Sequence, residues 1–199
     1  MNQFGEIENY PEGTTFQSRT EIKDAGLHKY PVNGISRVLH IGSDCIVLNK
    51  GYVDDLDKGD YILYTGEGGK KKNESKHTFD QPFIKGNLDL SKNKYAKYPI
   101  RVIRGYKLKN EYAPVEGYRY DGLYYLKDFY PEIGRDGFRI WRYVLEKEVN
   151  SFYPKKRNQE GPAQRIKKIT NQLKRNYKIP QKLKKLYRQH RATTWNLQI

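Results

Sequence analysis

The chain has 199 residues, of which 38 are Lys or Arg and 23 are Asp or Glu, so its formal net charge is +15. This length suits one domain with an appendage, and the 18 Tyr, 7 Phe and 2 Trp argue against disorder. The sequence contains no apolar run that could span a membrane, and its first residues predict no secretory signal. The single cysteine, Cys45, excludes an intramolecular disulfide and a multi-cysteine metal site, and it fits a reducing compartment.

The positive charge is concentrated near the C-terminus. Residues 150–199 contain 14 Lys or Arg and one acid, which gives a net charge of +13, whereas residues 1–149 carry +2. A basic tail on a nearly neutral body predicts a polyanionic partner, and nucleic acid is favoured over a membrane because no apolar anchor is present. The alternative is a tail that only keeps the protein soluble.

Residues 1–149 predict a domain in which short strands dominate. Glycine-rich turns separate these strands, and helices are few, which indicates an α+β protein built on a closed or half-closed β-barrel. The predicted strands cover residues 45–48, 61–64, 100–106, 123–129 and 138–145. The predicted helices cover residues 14–25, which end before Gly26, and residues 87–96, with Asn87 as the N-cap.

The pattern changes after Pro154. Four apolar residues with helical spacing form one stripe of a basic amphipathic helix, namely Ile166, Ile169, Leu173 and Tyr177. Pro180 ends this helix, and a shorter basic helix follows it. We therefore place a domain boundary near Asn150, with a domain over residues 1–149 and a basic helical tail or connector over residues 150–199.

The sequence does not predict a catalytic centre. Its four histidines are scattered and lack metal-ligand spacing. The acidic segment 54–60 does not fit a calcium loop, because Gly59 stands at a ligand position. The glycine-rich segment 66–71 lacks the spacing of a phosphate-binding loop. We therefore expect no catalytic residue, no metal, no cofactor and no enzymatic activity of this chain alone.

The segment 49–69 combines three tyrosines, of which Tyr52 and Tyr64 carry the argument, with a cluster of carboxylates and several glycines. Tyrosine faces can stack on a base, and an aspartate can accept a hydrogen bond from the N4 amine of cytosine. Carboxylates are unfavourable near phosphates, so acids in a DNA-binding protein are better explained by contacts with base edges. Taken alone, the segment is better explained by a polar hairpin with acids on its surface.

The sequence around this segment carries a set of motifs in a specific order. They are Phe4-Gly5-Glu6-Ile7, Pro11-Glu12-Gly13-Thr14, Gly51-Tyr52-Val53-Asp54-Asp55, Tyr64-Thr65-Gly66-Glu67-Gly68-Gly69, Pro99-Ile100-Arg101-Val102-Ile103-Arg104, Glu116-Gly117-Tyr118-Arg119-Tyr120-Asp121-Gly122 and Gly137-Phe138-Arg139-Ile140-Trp141-Arg142-Tyr143. With them the chain resembles the SRA domain, also called SAD or YDG, over residues 4–147. This family occurs in eukaryotic readers of methylated DNA and in bacterial modification-dependent restriction endonucleases.

The resemblance implies a PUA-like β-barrel with flanking short helices that binds double-stranded DNA. A modified cytosine, either 5-methylcytosine or 5-hydroxymethylcytosine, would be flipped into a pocket. In that pocket the two tyrosines would sandwich the base, Asp55 would accept from its N4 amine, and Thr65 would hold its Watson–Crick edge near O2 and N3. The implied pocket residues are Lys50, Gly51, Tyr52, Asp55, Tyr64 and Thr65.

The resemblance also implies contacts outside the pocket. Val32 would fill the gap that the base leaves, and a lysine-rich loop would probe the opposite strand. The predicted DNA-binding residues are Val32, Lys70, Lys71, Lys72, Lys76 and, in the tail, Arg165, Lys167 and Lys168. No DNA role is implied for Tyr120, Asp121, Trp141 and Tyr143, which we assign to the barrel core and turns.

Two alternatives stay open. The tail resembles the connector that precedes an HNH nuclease, so the chain could be the recognition part of a truncated or partnered modification-dependent endonuclease. A barrel that binds nucleic acid through charge alone is the other alternative. We favour a bacterial protein, which would act at the nucleoid in the cytoplasm, over a eukaryotic one, which would act in the nucleus. The sequence does not determine the oligomeric state, and a dimer is one option.

Overall fold

The computed structural model of the chain describes residues 4–72 and 74–147. Three of the predicted DNA-binding residues, Arg165, Lys167 and Lys168, lie outside these residues, and so do both predicted helices of the tail. The boundary predicted near Asn150 lies outside them as well, so these hypotheses stay predictions.

The described residues form eight strands and two α-helices. The strands are β1 Thr15–Phe16, β2 Ile35–Val38, β3 Gly42–Leu48, β4 Leu56–Lys58, β5 Tyr61–Thr65, β6 Ile100–Gly105, β7 Tyr118–Ile133 and β8 Arg139–Lys147. The helices are α1 Arg19–Asp24 and α2 Lys85–Ala96, and a 3-10 turn covers Tyr106–Leu108. All five predicted strands correspond to observed ones. No helix in the described part of the chain is long and apolar enough to cross a membrane.

The strands make one mixed sheet in the order β2-β3-β6-β7-β8-β5-β4, and β1 pairs with β7 beside this path. Strands β3 and β6 run parallel, and the other pairs are antiparallel. A parallel pair needs a long crossover, which here contains β4, β5 and α2. Within the described residues no ladder joins β2 to β4, so the sheet stays open between these two strands.

The apolar core occupies both faces of the sheet. Strand β3 is buried along its whole length, and its side chains alternate between two clusters. Ile46 and Leu48 belong to the larger cluster, which also holds Trp141 and Tyr143. Cys45 and Val47 belong to the smaller cluster, which also contains Phe16, Ile22, Leu27, Ile103 and Tyr120. The core placement of Tyr120, Trp141 and Tyr143 is thereby confirmed, whereas Asp121 lies inside strand β7 rather than in a turn.

The helix predicted over residues 14–25 is shorter than expected. Thr15 and Phe16 pair with β7 as strand β1, opposite Arg119 and Tyr118. The helix begins only after Ser18, whose side chain accepts a hydrogen bond from the Glu21 amide at 3.2 Å. A serine in this position satisfies one of the free N–H groups of the first turn and so defines the start. The predicted end before Gly26 is confirmed.

The second helix also starts earlier than predicted. Helix α2 begins at Lys85, and its N-cap is Ile84, which provides no side-chain hydrogen bond. Asn87, the predicted N-cap, lies within the helix and is fully buried. Its carboxamide instead bonds the loop after β5, because its Oδ1 accepts from the Glu67 amide at 2.8 Å and its Nδ2 donates to the Glu67 carbonyl at 2.9 Å.

Candidate nucleic-acid interface

A cavity of about 1080 Å³ opens where the chain leaves β3 and β5. Its walls come from residues in the segments 31–34, 47–55, 64–76 and 82–87. Five of the six predicted pocket residues line it, namely Lys50, Gly51, Tyr52, Asp55 and Tyr64. The fold therefore brings together residues that the sequence separates, from the segment that follows β3 and from the end of β5.

Tyr64 forms the deep wall of this cavity. It lies near the end of β5 and is only 3% exposed. Its hydroxyl lies under the loop that precedes β2, and a Cβ atom added at Gly34 would be 2.5 Å from the Tyr64 oxygen. Only glycine allows this close approach. Burial raises the pKa of Tyr64 well above its ordinary value, and the nearby carboxylate of Asp55 raises it further. Tyr64 is therefore a neutral aromatic surface.

Tyr52 is fixed at its hydroxyl end. Its Oη accepts from the Gly68 amide at 2.8 Å and lies 3.3 Å from the Gly68 carbonyl oxygen, to which it donates. Burial raises the pKa of Tyr52 to about 12, so its hydroxyl keeps its proton. The ring stacks on His77, with centroids 5.1 Å apart and 12° between the planes. These contacts hold a second aromatic ring at the cavity.

A lysine lies against the Tyr52 ring. Lys70 Nζ is 4.2 Å from the ring centre, which is the geometry of a cation–π contact. The same ammonium donates to the Gly51 carbonyl oxygen at 2.6 Å. Partial burial lowers its pKa, an effect that nearby acidic side chains oppose. Lys50, the other lysine at this point, is exposed and has a left-handed backbone with φ of 58°.

Asp55 is held at the cavity by β5 and β8. Its Oδ1 accepts from the Thr65 amide at 2.7 Å. The Thr65 hydroxyl accepts from Arg142 Nη1 at 2.5 Å, so the guanidinium lies directly behind this pair. Burial raises the pKa of the Asp55 carboxyl to about 6, although the hydrogen bonds from Thr65 and the charge of Arg142 oppose the rise. A carboxyl with this pKa is poised to gain or lose its proton near neutral pH.

Thr65 differs from the other predicted pocket residues in its position. It is fully buried and is not among the residues that line the cavity. Its amide and hydroxyl bond Asp55 and Arg142, so the structure places it behind the carboxyl group. The predicted contact of Thr65 with the edge of a base stays a prediction.

The predicted DNA-contacting residues surround the opening. Val32 is 85% exposed at the tip of the loop 29–34 and lines the cavity. The Arg19 guanidinium holds this loop by donating to the carbonyl oxygens of Tyr30 at 2.7 Å and Asn33 at 2.6 Å. The exposed lysines of the second loop are Lys71, Lys72 and Lys76, of which Lys76 lines the cavity.

Several residues of this site were not predicted from the sequence, among them Arg19, Glu67, Asn87 and Arg142. Glu67 and Arg142 lie inside motifs that carry the family resemblance, but a motif does not tell which of its members faces a cavity. The prediction of Asn87 as a helix N-cap was wrong, because the hydrogen-bond partners of its side chain are 5 and 20 residues away along the chain. Contacts of this kind depend on the tertiary fold and have no local signal.

The order of the strands and the cavity beside β3 and β5 define a small α+β binding domain. The SAD/SRA domain model matches residues 3–151, and the chain belongs to this family. The predicted fold class, a strand-dominated α+β domain of the SRA type with short flanking helices, is thereby confirmed.

Solved structures of this family are similar to the chain. The modification-dependent TagI restriction endonuclease is 41% identical with a TM-score of 0.71, over 74% of this chain and 53% of that one. The SUVH5 SRA domain, solved bound to fully hydroxymethylated CG DNA, is 28% identical with a TM-score of 0.63, over 74% of this chain and 95% of that one. A SUVH5 SRA complex with methylated CHH DNA gives 31% identity and a TM-score of 0.62.

Similar sequences occur in much longer eukaryotic proteins. The E3 ubiquitin-protein ligase UHRF1 of Xenopus laevis is 34% identical over 84% of this chain and 24% of its own length. The human E3 ubiquitin-protein ligase UHRF2 is 36% identical over 74% of this chain and 21% of its own length. The chain thus spans about a quarter of these relatives, and its likeness to them concerns their SRA region.

Proposed function

We propose that this chain binds double-stranded DNA that contains a modified cytosine, and that it flips the modified base into the cavity beside β3 and β5. The observation that carries this proposal is the cavity itself, in a member of the SRA family. It presents two aromatic rings and the carboxyl group of Asp55, which accepts a hydrogen bond from the Thr65 amide. Structures of the SUVH5 SRA domain with methylated and hydroxymethylated DNA support the same ligand class.

The two tyrosines provide the stacking surfaces. Tyr64 is immobilised in the core, and Tyr52 is held through its hydroxyl by Gly68. Extruding a base costs a few kcal/mol, and stacking on aromatic side chains contributes about 1–3 kcal/mol per base. The stacking contribution and the hydrogen bonds at the base edge are therefore of the size needed to offset extrusion.

The base displaces Lys70 when it enters. In the unbound chain the Tyr52 ring contacts both His77 and Lys70, so a stacked base requires one of them to leave. His77 is the more firmly attached, since it is buried and its amide donates to Asp136 Oδ2 at 2.8 Å. Lys70 is partly exposed on a flexible side chain, so its ammonium turns to the phosphate of the flipped nucleotide.

Asp55 selects cytosine over thymine. An ionised carboxylate accepts from the N4 amine of cytosine, but it repels the O4 carbonyl that thymine presents at the same place. Thr65 and Arg142 act behind it by fixing the orientation of the carboxyl group. The backbone at Lys50 and Gly51 completes the pocket.

The exposed loops contact the duplex around the extruded base. Val32 stands at the tip of a loop that Arg19 holds in place, and its apolar side chain fills the space that the base vacates. The lysines of the second loop bind phosphates or the opposite strand. The basic residues of the tail add contacts with phosphates, and the protein acts where the genomic DNA of its cell is found, as a monomer or as a dimer.

Competition binding tests this function. Duplexes that differ at one position, carrying cytosine, 5-methylcytosine or thymine, compete with a labelled methylated duplex in fluorescence anisotropy. We expect the methylated duplex to compete best, and 2-aminopurine placed beside the modified base should brighten as that base leaves the stack. Equal competition by all three duplexes together with unchanged 2-aminopurine fluorescence would refute the proposal.

A second candidate function is the recognition part of a modification-dependent endonuclease. The similarity to TagI, which is described as such an enzyme and of which this chain covers 53%, favours it. The two functions share the base-binding step, and only the second one leads to DNA cleavage. Adding a purified HNH nuclease encoded beside this chain to methylated plasmid tests it. Cleavage that requires both proteins and the modification supports a nuclease partner, and an intact plasmid argues against one.

A further inference from the structure

The cavity contains a second carboxylate that the proposed function does not use. Glu67 follows β5 and lines the same cavity as the two tyrosines and Asp55. The charge of Glu67 acts on both tyrosine hydroxyls and raises the pKa of Tyr52 and of Tyr64. The carboxylate therefore lies in the same cavity as the two tyrosines and close enough to their hydroxyls to act on them.

The backbone of Glu67 is fixed. Its N–H and its carbonyl both bond the side chain of Asn87, at 2.8 Å and 2.9 Å. Asn87 is itself fully buried, donates to the Pro82 carbonyl at 2.9 Å and receives the Tyr143 hydroxyl on its own carbonyl at 2.7 Å. Because the backbone of Glu67 is held on both sides by Asn87, the Glu67 side chain enters the cavity from a fixed point.

The Glu67 carboxylate keeps unused capacity to accept hydrogen bonds. Its Oε1 accepts from the Gly86 amide at 3.0 Å, in the first turn of α2, where the N-cap Ile84 provides no side chain. Within residues 4–72 and 74–147 no other hydrogen bond reaches this carboxylate, although an ionised carboxylate has about four acceptor positions. Burial raises the pKa of Glu67, as expected for a partly desolvated acid.

The two carboxylates are attached to different walls of the cavity. Asp55 is bonded to Thr65 on β5, in front of β8, whereas Glu67 is bonded to the N-terminus of α2. A cytosine that turns its N3–N4 edge to Asp55 directs its C5–C6 edge away from Asp55. Position 5 is the one that distinguishes the modified cytosines, so a group on the remaining wall can read it.

We propose that Glu67 determines specificity at position 5 by accepting a hydrogen bond from the hydroxyl of 5-hydroxymethylcytosine. This inference rests on the proposed function and extends it to the choice of modification. A methyl group offers no donor and leaves the desolvated carboxylate unsatisfied, whereas a hydroxymethyl group satisfies it. Because a hydrogen bond to a charged acceptor is among the stronger ones in proteins, the preference for hydroxymethylated over methylated DNA should be about tenfold.

Competition with three duplexes tests the inference on the full chain. They carry 5-hydroxymethylcytosine, 5-methylcytosine or thymine at one position. The wild type should prefer them in that order. Glu67→Leu should remove the advantage of the hydroxymethyl group and leave the methylated duplex equal or better. The same variant should still prefer 5-methylcytosine to thymine, because Asp55 is unchanged.

Two further variants keep the test decisive. Glu67→Gln retains an oxygen for the Gly86 amide and should lower the tenfold ratio to about threefold, since a neutral acceptor is weaker. Glu74→Leu makes the same charge change at an exposed residue of the same cavity and should leave the ratio unaltered. A wild type that binds both modified duplexes equally, or a Glu67→Leu variant that keeps the ratio, would overturn the inference. Loss of the preference over thymine in the wild type would instead indicate failure of the base-binding function.

Discussion

Within residues 4–72 and 74–147, two cavities lined by charged residues can be compared. The larger one, of about 1080 Å³, is the cavity proposed to bind the base, and the smaller one, of about 630 Å³, lies beside Tyr120-Asp121-Gly122. In the smaller cavity Arg104 donates to both oxygens of Asp57 at 2.8 Å, to Asp121 at 2.9 Å and to the Gly59 carbonyl at 2.7 Å. Although burial alone would lower it, these bonds raise the pKa of Arg104.

The larger cavity is organised differently. Two of its carboxyl groups, Asp55 and Glu67, accept hydrogen bonds from backbone amides, and neither forms a salt bridge within the described residues. Burial raises the pKa of both acids. Removing one partner of a buried ion pair destabilises a fold, whereas desolvated carboxylates that form no direct salt bridge are available to a ligand. The comparison therefore assigns the smaller cavity to the scaffold and the larger one to recognition.

The largest expected effect comes from breaking the paired network. Arg104→Met leaves Asp57 and Asp121 buried without their common partner, which should lower the free energy of unfolding by about 3–5 kcal/mol. Urea denaturation measures this loss. The fraction that stays folded should retain its preference for methylated DNA, and a loss of that preference without loss of stability would contradict the division into two cavities.

The next effect concerns base choice and leaves the scaffold intact. Asp55→Asn places an amide where the carboxylate was, and its NH₂ group can donate to the O4 of thymine. The preference for 5-methylcytosine over thymine should fall about ten- to a hundredfold, which corresponds to roughly 1–3 kcal/mol. Competition with the two duplexes measures it. A variant that still rejects thymine would show that Asp55 does not face the base.

Stacking should contribute somewhat less. Tyr52→Ala removes one aromatic face, and binding of the methylated duplex should weaken by about 1–3 kcal/mol, with little change for the unmodified duplex. Tyr52→Phe is the matched control, since it keeps the ring and loses only the two contacts with Gly68. Equal losses in both variants would mean that the hydroxyl, and not the ring, is what matters at this position.

Acidification should lower the preference for 5-methylcytosine over thymine, by less than the substitutions above. The pKa of Asp55 is about 6, so the carboxyl is mostly ionised at pH 7.5 and mostly protonated at pH 5.5. A protonated carboxyl can donate to the O4 of thymine, so the preference for 5-methylcytosine over thymine should decrease as the pH falls. Anisotropy titrations across this range measure the ratio. In Asp55→Asn the ratio should not vary with pH, which separates this carboxyl from other titrating groups.

The sequence predicted the residues that line the larger cavity better than the residues that hold them in place. Tyr52, Asp55 and Tyr64 stand in short motifs that end two strands, and the family order of these motifs places them side by side. Thr65 belongs to the same motif as Tyr64, but a motif gives proximity along the chain and not the direction of a side chain, and the structure places Thr65 behind Asp55. Asn87 was assigned to a helix cap, since its bonds to Glu67 exist only after α2 has packed against the loop behind β5. Local signals thus predicted which groups are present, and tertiary contacts decided which way they face.

The smallest expected effect on base choice comes from the basic tail. Arg165, Lys167 and Lys168 are predicted to bind phosphates, which carry no information about the base. Replacing all three by alanine should weaken binding to every duplex by the same factor and reduce the slope of log K against log salt by about 0.9 for each phosphate that is no longer bound. Titrations at several salt concentrations with methylated and unmodified duplexes measure both quantities. A change in the ratio of the affinities for the two duplexes would show that the tail reaches the cavity. The tail would then contribute to selectivity, and not only to affinity for any DNA.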